Sequence, residues 1–96
     1  MVAAYAPAVA RVQILYWQEI PSVLKAFAED GSTVSRQLPD WFQQEIDRQA
    51  MELGLIGSDA YLEQWRWGEA EERDGDPDAA LDALEAEELS RFRAGA

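Results

Sequence analysis

Residues 10–18 limit the possible folds of this chain more than any other segment. Their side chains alternate between two sets, and the alternation includes β-branched and aromatic residues, which predicts a β-strand. The two sets are Val12, Ile14 and Tyr16, and Gln13, Leu15 and Trp17. Because both sets contain large apolar side chains, we predict that this strand lies in the centre of a sheet. Pro21 is expected to end it.

The next segment predicts a β-hairpin around Asp30-Gly31. This dipeptide suits a type I′ turn, since Gly accepts a positive φ and Asp tolerates one. The two arms are 23–28, with Val23 and Phe27 on one face, and 33–38, with Val34 and Leu38 on one face. A short helix over 22–29 is the alternative, because the alanines there permit it.

A helix is predicted to begin at Pro39-Asp40, because proline suits the first turn and an early acid favours the helix N-terminus. Apolar residues then recur at spacings of four, four and three, as on one side of a helix. These residues are Phe42, Ile46, Ala50 and Leu53. Gly54 is predicted to end the helix in the left-handed conformation.

The C-terminal part predicts a capped turn, a strand and a second helix. Ser58 can cap a short helical turn over 59–62. Residues 64–72 are predicted to form the last strand, with a bulge at Gly68. Asp76-Pro77 is typical of a helix start, and this helix is expected to run to about Arg93. Its apolar side consists of Leu81, Leu84, Leu89 and Phe92.

The predicted order is strand, strand, strand, helix, strand, helix. Strands followed by helices favour an α+β fold, in which two helices pack on one face of a small antiparallel sheet of about four strands. A chain of 96 residues has room for one domain. We expect this domain to cover residues 10–96, after a flexible N-terminal leader over residues 1–9.

Composition excludes several kinds of chemistry. The chain has no cysteine and no histidine, so thiolate zinc sites, disulfides and Cys or Ser–His nucleophiles are absent. We therefore predict that the protein is not an enzyme and holds no cofactor. Its 19 acidic and 8 basic residues give a net charge of −11, which opposes binding to nucleic acid and to anionic membranes. Without a signal peptide or a long apolar run, a cytoplasmic location is expected.

An unusual load of aromatic residues is the main candidate binding feature. Trp, Tyr and Arg dominate the energetic centres of protein interfaces, so an exposed aromatic patch would suit a partner protein. The candidate contact residues are Trp17, Trp41, Tyr61, Trp65, Arg66 and Trp67. The alternative is that these large side chains fill the core.

An acidic run between residues 74 and 85 has the spacing of a calcium-binding loop. The residues at the ligand positions are Asp74, Asp76, Asp78, Asp82 and Glu85. An EF-hand needs glycine at its sixth position, where this chain has Ala79, and Pro77 stiffens the fourth. The run therefore favours a helix start with solvated acids, and a weak calcium site is the alternative.

Three stretches together resemble the small bacterial virulence factor family. They are Tyr16-Trp17-Gln18-Glu19-Ile20-Pro21, then Leu38-Pro39-x-x-Phe42 to Ile46-Asp47-x-x-Ala50-Met51, and Gly57-x-Asp59-Ala60-Tyr61-Leu62-x-x-Trp65. The resemblance covers roughly residues 10–90 and extends to a module of the larger conserved virulence factor C. It implies an accessory or protein-contact role, and it transfers no catalytic or cofactor-binding residue.

Together these features predict a non-enzymatic module that binds an unidentified protein through an aromatic patch with an acidic rim. A small-molecule or calcium-binding domain is one alternative, and an acidic mimic of DNA is another. The open edges of a small antiparallel sheet also make a homo-oligomer plausible.

Overall fold

The computed structural model describes residues 9–94, which form a five-stranded antiparallel sheet and three helices. In chain order the elements are β1 (Val9–Trp17), β2 (Ile20–Ala28), β3 (Thr33–Gln37), α1 (Asp40–Glu52), α2 (Asp59–Glu63), β4 (Trp65–Trp67), β5 (Glu71–Asp74) and α3 (Pro77–Ala94). The predicted α+β class is confirmed. The leader expected at 1–9 falls outside the described residues, apart from Val9, which begins β1.

The strand β1 is central, as predicted, because it pairs with β2 along one side and with β4 and β5 along the other. β4 lies opposite residues 15–17 and β5 opposite residues 9–12, so the two short strands lie end to end on one edge. Residues 68–70 separate them. The Gly68 N–H donates to the Ile14 carbonyl at 2.8 Å, and the predicted irregularity at Gly68 therefore divides the expected last strand in two.

The prediction that Pro21 ends the first strand is wrong. Trp17 pairs directly with Ile20 across the turn at Gln18-Glu19, and Pro21 lies inside β2, opposite Tyr16. The pairing register shifts by one residue at this point. A proline lacks the N–H that a regular ladder requires, and an irregularity of this kind is where a strand accommodates one.

The hairpin of β2 and β3 is confirmed, and the alternative helix over 22–29 is wrong. Its turn is not type I′, because Gly31 has a φ of 91° whereas Asp30 does not have a positive φ. The Gly31 N–H donates to the Ala28 carbonyl at 3.0 Å, which gives a type I turn followed by a glycine bulge. The Asp30 carboxylate accepts from the Ser32 hydroxyl and N–H, and these bonds lower its pKa.

The core lies between β2 and the two long helices. Leu24 and Ala26 of β2 are fully buried, and α1 and α3 both pack against this strand. The helices also meet each other, since the ring centroids of Phe42 and Phe92 are 5.4 Å apart. The buried helical residues are Phe42, Ile46, Ala50, Ala80, Leu81 and Leu84.

The end of α1 explains why one predicted core residue is outside. Leu53 is 55% exposed, because it is the residue at which the helix stops and Gly54, with a φ of 70°, turns the chain away. The Leu55 N–H donates to the Ala50 carbonyl and the Gly54 N–H to the Met51 carbonyl. This is a Schellman motif, so the predicted glycine cap is confirmed.

Two arginines of the sheet hold α3 in place. Arg36 of β3 contacts Asp82 at 2.6 Å and Glu85 at 3.3 Å. Arg73 of β5 makes a two-pronged contact with Glu87, which lowers the pKa of that carboxyl. Ion pairs therefore link α3 to strands at both edges of the sheet, β3 and β5. At its start the Asp76 carboxylate accepts from the Ala79 N–H at 2.8 Å, as expected for the predicted cap.

Candidate interaction surface

The two faces of the sheet are covered differently. Side chains alternate along a strand, and directly paired residues share a face. The face with Leu24 and Ala26 is covered by α1 and α3. On the other side, Lys25 pairs with Gln13, and Leu15 pairs with both Val23 and Trp67. We call this second surface the open face and define it as Gln13, Leu15, Val23, Lys25, Phe27 and Trp67.

The open face is mainly apolar and carries one positive charge near its middle. Leu15, Val23 and Phe27 are half-buried, and Trp67 is 45% exposed. The Lys25 ammonium, which belongs to the single lysine of the chain, lies 5.3 Å from the Trp67 ring centroid and 5.5 Å from that of Phe27. Both distances fall within the range of cation–π attraction, so this cation is held against the two rings.

One end of the open face has an acidic margin. Strand alternation brings Arg11 to this side, where it pairs with Phe27 in β2 and with Glu72 in β5. Asp74 lies on the same side two residues further along β5, and the Glu29 carboxylate accepts from the Val9 N–H at 3.4 Å. Three exposed carboxylates therefore stand beside one guanidinium.

Three of the predicted contact residues form a separate cluster at the other end of the sheet. Trp17 has 0% exposure, and its indole N–H donates to the Tyr61 carbonyl at 3.0 Å. The Tyr61 ring lies 5.6 Å from Trp17 and 6.2 Å from Trp65, measured between centroids. The helix α2, which begins at the predicted cap Ser58, positions Tyr61. This cluster fills the core beneath α2.

The remaining predicted contact residues lie apart from one another. The Arg66 guanidinium is 4.8 Å from the Tyr16 ring centroid and donates to the Gln18 carbonyl at 3.2 Å. Trp41 is 46% exposed and lies on α1 beside Phe42. The structure therefore does not bring the six together, and Trp67 is the one that belongs to the open face.

Sequence reasoning did not single out the other apolar residues of the open face. It did place Val23 and Phe27 on one face of their strand, and it separated Leu15 from Val12 and Ile14. What it lacked was the register that aligns Leu15 with Val23 and Trp67. The pattern that could have indicated this surface is the occurrence of large apolar residues on the same side of three paired strands.

A cleft of about 310 Å³ opens where β4 and β5 are interrupted. Its lining consists of Val12, Gln13, Ile14, Tyr16, Arg66, Gly68, Glu69, Glu71 and Leu84. The charged groups are one guanidinium and two carboxylates, so the cleft has a net negative charge and disfavours anions. The Gln13 amide donates across it to the Gly68 carbonyl at 3.1 Å.

Three of the five acids that suggested a calcium loop have other contacts. Asp76 caps α3, and Asp82 and Glu85 both contact Arg36. Across residues 9–94, no three acidic side chains are grouped closely enough to hold a metal ion. In the same part of the chain, no helix combines the length and apolar composition that crossing a bilayer requires.

Comparison with curated proteins and with solved structures finds no match to this chain. Comparison with protein families does find a match. The matched region starts in β1 at an open-face residue and ends in the last turns of α3. The matched region thus contains most of the sheet, α1, α2, most of α3 and every residue of the open face except Gln13. The chain belongs to the virulence factor family, which it matches over residues 15–92.

Proposed function

We propose that this chain acts by binding a protein and not by catalysis, and that a basic partner docks on the open face. The observation that carries the proposal is the apolar surface formed by Leu15, Val23, Phe27 and Trp67 around Lys25. It lies on the side of the sheet opposite α1 and α3.

The outer face of a sheet that packs on helices is normally polar, because its side chains meet water. Here four large apolar side chains from three neighbouring strands lie on this face instead, those of Leu15, Val23, Phe27 and Trp67. Contiguous exposed apolar surface of this kind marks contact sites in soluble proteins. Tryptophan is enriched among the residues that contribute most to binding, which makes Trp67 the expected anchor.

Charge supports a basic partner. The helices hold eleven of the 19 acidic residues, four in α1, two in α2 and five in α3, and the margin of the open face adds Glu29, Glu72 and Asp74. A net charge of −11 attracts a cationic protein over long range and speeds the encounter. Lys25 adds a local requirement, because a partner that covers its ammonium must supply a carbonyl or carboxylate acceptor.

The two half-exposed tryptophans provide a matched test. Trp67 is 45% exposed on the open face and Trp41 is 46% exposed on α1. The chain, immobilised as bait, would be compared with Trp67→Ala and Trp41→Ala for capture of proteins from its native host. We expect Trp67→Ala to lower capture of the partner about tenfold or more, as loss of an anchor does. Trp41→Ala should leave capture unchanged.

Two further measurements make the result decisive. The captured partner should be basic, and its binding should weaken as salt rises, because salt screens exposed charges. Both variants should stay folded at the assay temperature and melt at similar temperatures, since the two tryptophans are equally exposed. Equal capture by both variants, or a captured protein with an acidic surface, would contradict the proposal.

A further inference from the structure

The outer edge of β3 presents unpaired backbone groups, and the hydrogen bonds to β2 show which residues they belong to. The Ala28 N–H donates to the Ser32 carbonyl, and the Leu38 N–H donates to the Ser22 carbonyl. Hydrogen-bonded pairs alternate along an antiparallel ladder, so Val34 and Arg36 also bond to β2. The backbone N–H and C=O groups of Thr33, Ser35 and Gln37 therefore point away from the sheet.

This edge lacks the devices that usually block strand addition. Such devices are proline, a bulge, an inward charge or a very short strand. β3 has five residues with no proline and no bulge, and its one inward charge, Arg36, is paired with Asp82 and Glu85 of α3. Its side chains on the open-face side are the uncharged Thr33, Ser35 and Gln37. The opposite edge differs, because it is interrupted at residues 68–70 and its β5 part carries three acids.

We propose that β3 pairs with β3 of a second copy of this chain, antiparallel about Ser35. In this register Ser35 faces Ser35 of the partner subunit, and Thr33 faces Gln37 of the partner subunit. All outward backbone groups of both strands then meet in hydrogen-bonded pairs, which gives six bonds. The result is a ten-stranded sheet in which the two open faces become continuous. The inference does not depend on the proposed partner binding.

The charges of β3 are compatible with this pairing. Its single charged residue, Arg36, stands opposite Val34 of the partner subunit, so no like charges are directly opposed. Each Arg36 is also already neutralised by Asp82 and Glu85 of its own chain. The whole molecules repel, however, at −11 each. We therefore expect dimerisation to strengthen as salt rises, which is the reverse of the salt effect expected for a basic partner.

Engineered cysteines test the register, because the chain has none of its own. In the proposed dimer the two Ser35 Cα atoms are about 5.5 Å apart, a distance that a disulfide spans. The two Thr33 Cα atoms are about 14 Å apart, since each lies four residues from the other along the ladder. We expect Ser35→Cys to form a disulfide-linked dimer on mild oxidation, whereas Thr33→Cys alone does not. Thr33→Cys mixed with Gln37→Cys should cross-link.

Sedimentation of the unmodified protein measures the association itself. We expect a dimer at high micromolar concentration in about 1 M NaCl, where the screening length is ~3 Å. Ser35→Pro removes an outward N–H and should raise the dissociation constant about tenfold or more, whereas Ser35→Ala keeps the N–H and should not. A monomer under these conditions would overturn the inference. So would a dimer in which Thr33→Cys cross-links as fast as Ser35→Cys.

Discussion

Replacement of Trp17 by phenylalanine tests whether this indole belongs to the core or to a binding surface. The side chain has 0% exposure and donates its N–H to the Tyr61 carbonyl at 3.0 Å. Removal of the donor loses one hydrogen bond at a net cost of about 0.5–1.5 kcal/mol, because the Tyr61 carbonyl still accepts from the Gln64 N–H at 3.3 Å. The smaller ring also leaves a gap on the order of 40 Å³, which costs about 1 kcal/mol at ~24 cal/mol per Å³.

The sum, about 1.5–2.5 kcal/mol, is large for this domain. At ~0.05–0.15 kcal/mol per residue, a chain of this length has a free energy of unfolding of roughly 5–14 kcal/mol. The melting temperature of Trp17→Phe should therefore fall by about 6–20 °C, since 1 kcal/mol corresponds to ~4–8 °C in domains of this size. Urea unfolding followed by far-ultraviolet circular dichroism gives the free-energy difference directly.

Trp41→Phe is the matched control. Trp41 is 46% exposed, and its indole N–H makes no hydrogen bond to the residues that the structure describes. Its replacement should cost under about 1 kcal/mol, as exposed substitutions do. If Trp17→Phe shifts the urea midpoint no more than Trp41→Phe does, the assignment of Trp17 to the core is refuted.

Three other outcomes are expected. Gly54→Ala should lower the free energy of unfolding by about 1–2 kcal/mol, because Gly54 has a φ of 70° and its Cβ would meet no neighbour, so backbone strain alone acts; an unchanged urea midpoint would contradict this. Glu87→Gln should destabilise the fold at pH 7, and urea midpoints across a pH series should show this deficit shrinking as pH falls below about 4.5. Arg73 lowers the pKa of Glu87, so the carboxylate stabilises the fold only while it is charged, and a deficit that does not change with pH would contradict this. Millimolar calcium should leave the melting temperature unchanged, whereas a site filled at ~100 times its dissociation constant would add about 2.7 kcal/mol.

Sequence patterns predicted the elements of this fold that depend on local chemistry. The stripe of Phe42, Ile46 and Ala50, the glycine cap at Gly54 and the Asp76-Pro77 start all follow from contacts within a few residues. The central position of β1 followed from its two apolar faces.

The errors arose where non-local pairing overrides a local signal. Pro21 is a poor strand residue by itself, but the register shift opposite Tyr16 gives it a place in β2. Leu53 fits the helical period, yet the helix stops there and the side chain is exposed. No local signal sets either outcome.

The candidate surface was harder to predict because it depends on register. Residue types marked all four tryptophans equally, although Trp17 and Trp67 end in opposite environments on the same side of the sheet. Only α2 distinguishes them, since it covers Trp17 and leaves Trp67 beside Lys25. The position of Lys25 between two rings likewise follows from the pairing of β2 with β1 and of β1 with β4.

The break between β4 and β5 also sets a limit on assembly. An uninterrupted strand at that position would give the sheet two edges with free backbone groups, and subunits could then add one after another into a fibril. Because residues 68–70 interrupt this edge and its β5 part carries three acids, the proposed dimer uses the β3 edge alone. In the proposed dimer, growth through the sheet would therefore end at a closed pair and would not continue into a polymer.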